Sequence, residues 1–449
     1  MRLITIIILG LCSQAFELRS QGVLEGYIKT GLENNQQLIR EQLATQLQYQ
    51  VEREARGGFM PNVSFDASYI WAEGGRLISV PAGDLVNPAY QGLNEILGEN
   101  RFPTDIENVD EQLLPNNFHE TKIRLIQPLL NSSIYYNYKA QSAQYSAQRA
   151  RQQAYENQLV REIKVGYYKH LSALEKLDIL LDTRELLEEL LRVSKKLVAN
   201  DKATKEILYA SQAEVNKMDS QIAAARKQVN TSRIYFNFLL SRGLNEPILV
   251  DTTMISVPQV EALAELDQQA LSTRNEISQL QYGIEANRNL VKLNQGYLVP
   301  QVNLVGDVGY QGFDYTFDDQ QDFWFVQVGL TWPIFKGFQN RAKIEQSIIR
   351  EQQLNSDLTD LKNQISLEVA QAYYELLEAI ETLNSRQAEL MNAQENFRIT
   401  GKKYGQGQAL LVEYNEARTN YTTAQLNQSI AKYNLKMKEA SLDAAVNLK

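Results

Sequence analysis

The 449-residue sequence predicts a mixed, mainly α-helical fold of long antiparallel helical hairpins with four short β-strands, and three features carry that prediction. The first is a duplicated order. Phe59-Met60-Pro61-Asn62-Val63-Ser64-Phe65 and Leu125-Ile126-Gln127-Pro128-Leu129-Leu130-Asn131 in the first half have counterparts in Leu298-Val299-Pro300-Gln301-Val302-Asn303-Leu304 and Leu330-Thr331-Trp332-Pro333-Ile334-Phe335-Lys336 in the second. Leu32 precedes Pro61 by the same number of residues as Leu271 precedes Pro300, and Tyr167-Tyr168 and Tyr373-Tyr374 follow Pro128 and Pro333 in registers that differ by one. A spacing kept over such distances marks an internal repeat. The second feature is helical periodicity over stretches too long for a compact domain; the third is two-residue alternation beside each proline.

The N-terminus reads as a signal peptide over 1–15, with Arg2 as a basic start, Leu3 to Leu11 as an apolar core and Ser13-Gln14-Ala15 as a small-x-small cleavage site. Its apolar run is too short to span a bilayer. Cys12, the one cysteine of the chain, lies inside it, so the expected mature chain has no thiol for disulfides, zinc ligation or catalysis. A lipoprotein reading of Cys12 is opposed by the bulky Leu11 before it. The first repeat is expected over 16–242, a linker over 243–258 around Pro247, and the second repeat over 259–449.

From Gln21 to Arg56 a polar helix with Leu24, Ile28 and Leu32 on one face is expected, ended by Gly57-Gly58 and Pro61. Val63, Phe65, Ala67 and Tyr69 then alternate with Asn62, Ser64, Asp66 and Ser68, the signature of a strand with one oily and one wet face. Trp71 to Glu120 reads as a long surface loop rich in Gly, Pro, Asn and acids. A second strand opens at Thr121, with Ile123 and Leu125 against Lys122 and Arg124.

A helix from Pro128 to about Ala199, rising on the order of 100 Å, carries Val160, Ile163, Tyr167, Leu171, Leu174, Leu177 and Leu181 at intervals of three and four. It turns at Asn200-Asp201-Lys202 and returns over Lys205 to Arg242. The second half repeats this: a helix from Ala262 to Gly296, a strand with Val302, Leu304, Val308 and Tyr310 on one side, an acidic loop, and a strand in which Trp324, Val326, Val328, Leu330 and Trp332 alternate with Phe325, Gln327, Gly329 and Thr331. Tryptophans near both ends of that strand suit the aromatic girdles of a lipid-embedded barrel, although a soluble sheet edge has the same alternation. A last hairpin rises through Ile365, Val369, Ala372, Leu376, Ile380 and Leu383 and returns through Leu411, Tyr414, Ala417, Tyr421 and Ala424.

A net charge of −9 and the lack of a basic stripe argue against nucleic-acid binding. If the strands cross a membrane, Val63, Phe65, Ile123, Leu304, Val308, Trp324, Val326, Val328 and Trp332 are the expected lipid-facing residues. Four strands cannot close a barrel, and an open edge is costly in hydrocarbon, so several chains must share one. Three copies would give twelve strands, above the roughly eight at which side chains fill a barrel interior. Such an assembly is a conduit.

In these features the sequence resembles the TolC-type outer-membrane efflux proteins, from about Gln21 to Asn447. The resemblance rests on the repeated helix, strand, strand, hairpin order, on Gly31-Leu32-Glu33-Asn34-Asn35 and Ala270-Leu271 through Arg274-Asn275-Glu276-Ile277, on Pro61, Pro128, Pro300 and Pro333, and on Tyr404-Gly405-Gln406-Gly407 followed by Leu411-Val412-Glu413 and Ala417. It implies a homotrimer with a 12-stranded transmembrane barrel in the outer membrane of a Gram-negative bacterium. The helices would form a periplasmic tunnel that meets an inner-membrane transporter, of the RND or ABC type, through a periplasmic adaptor. The implied function is an export duct that passes its substrates passively; the other reading is an elongated periplasmic coiled-coil scaffold without a channel. With the helices pointing inward, the Trp71–Glu120 loop is expected outside the cell.

The resemblance also implies a periplasmic gate at Tyr404, Gly405, Gly407, Glu413 and Glu416. Glu413 and Glu416 lie three apart on one helix face, where a trimer would stack two acidic rings, although a solvated helix face has the same spacing. The family's arginine position beside the gate holds Ala409, so the same latch cannot be intact; Ala203 and Tyr209 depart at the first tip. Lys402 and Lys403 supply positive charge there or simply suit a helix C-terminus. No enzyme chemistry, cofactor or metal site is expected: His119 and His170 lack ligand-spaced partners, and Gly306-Asp307-Val308-Gly309 lies in a strand without the helix that a dinucleotide loop needs.

Overall fold

A computed structural model describes residues 22–250 and 256–447. The expected signal peptide, with Cys12, lies outside them. The helices are α1 (Val23–Asn34), α2 (Gln36–Gly57), α3 (Ala82–Leu97), α4 (Ser132–Ala199), α5 (Lys205–Leu239), α6 (Leu263–Thr273), α7 (Asn275–Gln295), α8 (Gln339–Gly405) and α9 (Leu411–Ala445). The strands are β1 (Asn62–Ile70), β2 (Leu77–Val80), β3 (Val109–Gln112), β4 (Phe118–Leu130), β5 (Gln301–Phe313) and β6 (Asp322–Thr331). The repeated order is present: α1, α2, β1, β4, α4, α5 in the first half and α6, α7, β5, β6, α8, α9 in the second.

Two compact units emerge, and each draws on both halves. One comprises the described residues within Met1–Val51, Gln141–Arg288 and Ile349–Lys449; the other comprises Glu52–Ala140 and Asn289–Ile348.

The first unit is helical. Tyr27, Leu38, Leu159, Ile163, Tyr167, Leu171, Phe236 and Leu240 pack in one cluster, with Tyr27 edge-on to Phe236 at 5.1 Å between ring centroids. Burying a side chain of this size contributes about 1.5–3 kcal/mol. The corresponding cluster of the second repeat contains Leu266, Ala270, Ile277, Ile365, Val369, Leu376, Leu435 and Leu442. Gly31 and Ala270 hold matching places, and both are small. A Cβ at Gly31 would press on Ile163, and Ala270 is fully buried. A third cluster, including Leu180, Leu187, Leu191, Val215, Met218 and Ile222, joins α4 to α5. Leu180 is buried while Leu181, expected on the apolar face, is exposed. The buried stripe there runs through Leu180, Leu187 and Ser194 at a seven-residue spacing, one residue earlier than the expected face.

The second unit contains an antiparallel four-stranded sheet in the order β1-β4-β5-β6. A separate two-stranded sheet pairs β2 with β3.

Two expectations of continuous helix are corrected. The segment 21–56 is broken at Asn35 and the segment 262–296 at Arg274, each in extended conformation (φ −62°, ψ 121° and φ −63°, ψ 124°). A third correction concerns Trp71–Glu120, which is not a plain loop: it holds β2, α3 and β3, and β4 begins at Phe118, placing His119 in a strand.

Candidate functional site

Two places collect the residues singled out by the sequence. On the sheet, register puts Phe65, Ile123, Val308 and Trp324 in one row across all four strands. The next row on the same face is Val63, Leu125, Gly306 and Val326, and the one after it includes Leu304 and Val328. Phe65 is 70 % exposed, Trp324 79 % and Val328 64 %, whereas Leu304 is only partly exposed. An apolar face left so open is unusual for a folded chain. Trp332, just beyond β6, is also exposed.

The reverse face is charged. Arg124 donates through Nε and Nη2 to the two carboxylate oxygens of Asp307, at 2.9 and 2.8 Å, in the planar fork geometry that guanidinium and carboxylate share. Lys122 lies 2.5 Å from Glu120 and 3.7 Å from Asp307. Asp307 and Lys122 are buried. Gly309 makes this approach possible, since a Cβ there would overlap the Thr121 carbonyl and the Lys122 backbone. At the end of the sheet His119 is enclosed by Tyr315 and Phe317, with Nε2 2.9 Å from the Thr316 carbonyl. β1 and β6 each have a sheet neighbour on one side only.

The second place is the turn between α8 and α9. It is shorter than the expected Gly401–Ala409 joint, because α8 continues through Gly405. Gly407, at φ +71°, takes the left-handed conformation that a side chain disfavours, while Gly405 is an ordinary helical residue. The backbone N–H groups of Gly407 and Gln408 donate to the carbonyls of Tyr404 and Lys403, at 3.0 and 2.8 Å, and so satisfy the end of α8.

Tyr404 stacks on Tyr414 at 5.0 Å, and both pack against the Leu187–Met218 cluster. Burial raises the pKa of both phenols. Glu413 accepts the backbone N–H of Leu410 at 2.7 Å and thereby caps α9. Glu413 and Glu416 line one groove with Lys403, Gln408 and Asn420. The sequence reading missed Arg418. It is 2 % exposed, and its Nη2 donates to Glu214 of α5 at 2.7 Å. An arginine among Ala417 and Thr422 on the buried side of α9 was the available signal.

Further polar ties join α9 to α4. Glu175 accepts from Lys432 (2.6 Å) and Tyr433 (2.7 Å), and Lys164 pairs with Asp443 at 3.1 Å. Burial alone would raise the Glu175 pKa, but the hydrogen bonds from Lys432 and Tyr433 outweigh it and lower it. Tyr433 is raised in turn, by burial first and then by its bond to Glu175. His170 shares a buried hydrogen bond of 2.9 Å with Ser232, and burial, aided by Arg233, lowers its pKa to about 4.

Residues 266–448 match the family described as outer membrane efflux protein. The multidrug resistance outer membrane protein MdtP of Shigella flexneri is 22% identical over 184 residues, 40% of this chain and 37% of that protein, so the match spans well under half of that relative. The crystal structure of CusC superposes with a TM-score of 0.77 at 15% identity, over 94% of this chain and 91% of that one. The CmeC outer membrane channel of Campylobacter jejuni gives a TM-score of 0.75 at 15% identity, over 94% and 85%. The fold is that of these channels, and the outer-membrane location expected from the sequence agrees with the family match and with the MdtP and CmeC matches. Residues 266–448 thus resemble the outer membrane efflux proteins, and the chain as a whole has the fold of the TolC-type outer-membrane channels.

Proposed function

We propose that the chain is the outer-membrane export duct of a tripartite efflux or secretion machine, a homotrimer that passively conducts substrates delivered by an inner-membrane transporter of the RND or ABC type and a periplasmic adaptor. The observation that carries this reading is the two-faced sheet with two unpaired edges. One face exposes Phe65, Ile123, Val308, Trp324, Val326 and Val328, the other gathers Glu120, Lys122, Arg124 and Asp307, and hydrocarbon on one side with a wet lumen on the other suits both. β1 and β6 run in opposite directions, so β6 of one copy can pair with β1 of the next and keep the antiparallel alternation. Closure removes edges that lipid would leave unsatisfied.

On this reading the apolar rows contact lipid, and Tyr404, Gly407, Glu413 and Glu416 form the inner gate. A soluble scaffold has no use for so broad an exposed apolar face. Extraction and reconstitution test the proposal. The protein is expected to need detergent, to have the mass of a trimer, and to form stable ion-conducting pores in a planar bilayer. Release by osmotic shock as a soluble, non-conducting protein would favour the scaffold instead.

A further inference from the structure

Helix α3 is built inside out. Its amides face its own following segment: Asn94 accepts from the N–H groups of Arg101 and Phe102 at 2.9 Å and donates to the Phe102 carbonyl at 2.7 Å. Asn87 exchanges two bonds with Ile106, at 2.8 and 2.9 Å, and Asn108 accepts from the Asp84 N–H at 3.1 Å. Gly83 lies so close to the Ile106 carbonyl that a Cβ would not fit. The segment is tethered at the end of the large sheet, where Asn116 accepts the Ala72 N–H at 3.1 Å and the Asn117 carbonyl accepts the Asp314 N–H at 3.0 Å.

With its polar side consumed, α3 turns Leu85, Pro88, Ala89, Gly92, Leu93 and Ile96 outward. These fall on an arc of roughly 140° opposite Asn87 and Asn94. Leu85 is 71 % exposed and Ile96 83 %. No charged residue interrupts the stripe, and its spacing is that of a helix-packing seam.

We propose that this stripe packs against the same stripe of neighbouring copies and closes the outer end of the duct; the proposal rests on the trimeric reading above. Two observations favour a second copy over an anionic lipid surface. From Trp71 to Asn117 acids outnumber bases by eight to two, which opposes a negatively charged membrane. The stripe also continues an edge that already needs a neighbour, since β1 runs through Trp71 directly into this segment. Ala89 and Gly92 let helix backbones approach closely. In a three-fold assembly, like stripes on all three copies can meet only at the axis. The result is an apolar constriction, which resists hydrated ions by dewetting.

Cysteine cross-linking tests this in the full chain carrying Cys12→Ala, since Cys12 is its one cysteine. Leu93→Cys and Ile96→Cys are expected to give disulfide-linked dimers on copper-catalysed air oxidation of the assembled protein, at least ten-fold more than Gln91→Cys on the flank of the helix. The double change Leu93→Glu with Ile96→Glu, in an oligomer of unchanged mass, is expected to raise the open probability in bilayer recordings several-fold. A trimer whose stripe cysteines link no better than Gln91→Cys overturns this proposal alone. So does quenching of a fluorophore on the stripe by brominated lipid, which would place α3 in the membrane. A chain that stays monomeric overturns the duct reading and this one with it.

Discussion

The side-chain amide of Asn35 donates to the carbonyl of Leu239, the last residue of α5, at 2.9 Å, and the guanidinium of Arg274 donates to the carbonyl of Ala445, the last residue of α9, at 3.0 Å. Each repeat thus breaks its first helix and uses the side chain at the break to tie down the end of its own returning helix. Asn35 also caps α2, accepting the N–H groups of Gln37 and Leu38 at 3.0 Å. Arg274 lacks an acceptor, and it is held instead by Glu276 at 2.9 Å and Glu368 at 3.1 Å.

From these ties, Asn35→Ala is expected to cost about 2–3 kcal/mol, the sum of a lost cap and an orphaned carbonyl. Asn35→Ser keeps an acceptor for the cap but cannot reach Leu239, so its cost should be about half. Denaturant unfolding followed by helical circular dichroism measures both. A loss below about 0.5 kcal/mol in Asn35→Ala would show the tie to be dispensable.

These breaks were illegible because neither residue is Gly or Pro and both take ordinary extended angles; only the capping preference of asparagine hinted at the first. The strands were legible because Trp324, Val326 and Val328 alternate cleanly with their neighbours. Their row with Phe65, Ile123 and Val308 was not, since register depends on partners far along the chain. Helix α3 escaped notice for the opposite reason. Its polar side packs inward, so the usual apolar signal of a buried face was absent. At the tip, sequence treated Gly405 and Gly407 alike, and only the backbone separates the helical one from the left-handed one.

Acid should loosen the helical unit through His170. Its pKa of about 4 lies below the ordinary histidine value of 6.5, so the unfolded chain binds the extra proton between those values. Stability from the neutral ring is complete above about pH 6.5 and is lost as pH falls toward 4, by on the order of 2–3 kcal/mol. His170→Gln keeps the hydrogen-bonding option to Ser232 without a titrating group. It should flatten the slope of stability against pH in that window. An unchanged slope in the variant would assign the acid sensitivity to other groups.

For the apolar face of the sheet, Val326→Arg or Val328→Arg is expected to impair membrane assembly by about 2–4 kcal/mol if the site lies near the bilayer midplane. Phe325→Arg, on the same strand but on the face that holds Arg124 and Asp307, should cost far less. Equal yields of assembled oligomer from Val328→Arg and the parent would count strongly against lipid contact.

At the tip, Glu413 and Glu416 line one groove, yet only Glu413 also caps a helix, through the Leu410 N–H. The double change Glu413→Gln with Glu416→Gln separates charge from structure, because a side-chain amide oxygen in place of the Glu413 carboxylate can still accept that hydrogen bond. Assembly should therefore survive, while six carboxylates would be removed from a three-fold ring. Their mutual repulsion is what bound cations relieve, so block by multivalent cations should weaken and cation preference should fall in single-channel recordings. Glu413→Ala, which removes the cap as well, should in addition destabilise the start of α9 by about 1 kcal/mol, visible as faster amide exchange there. If a correctly assembled double variant keeps the parent's selectivity and block, both residues belong to a solvated helix face and the gate lies elsewhere.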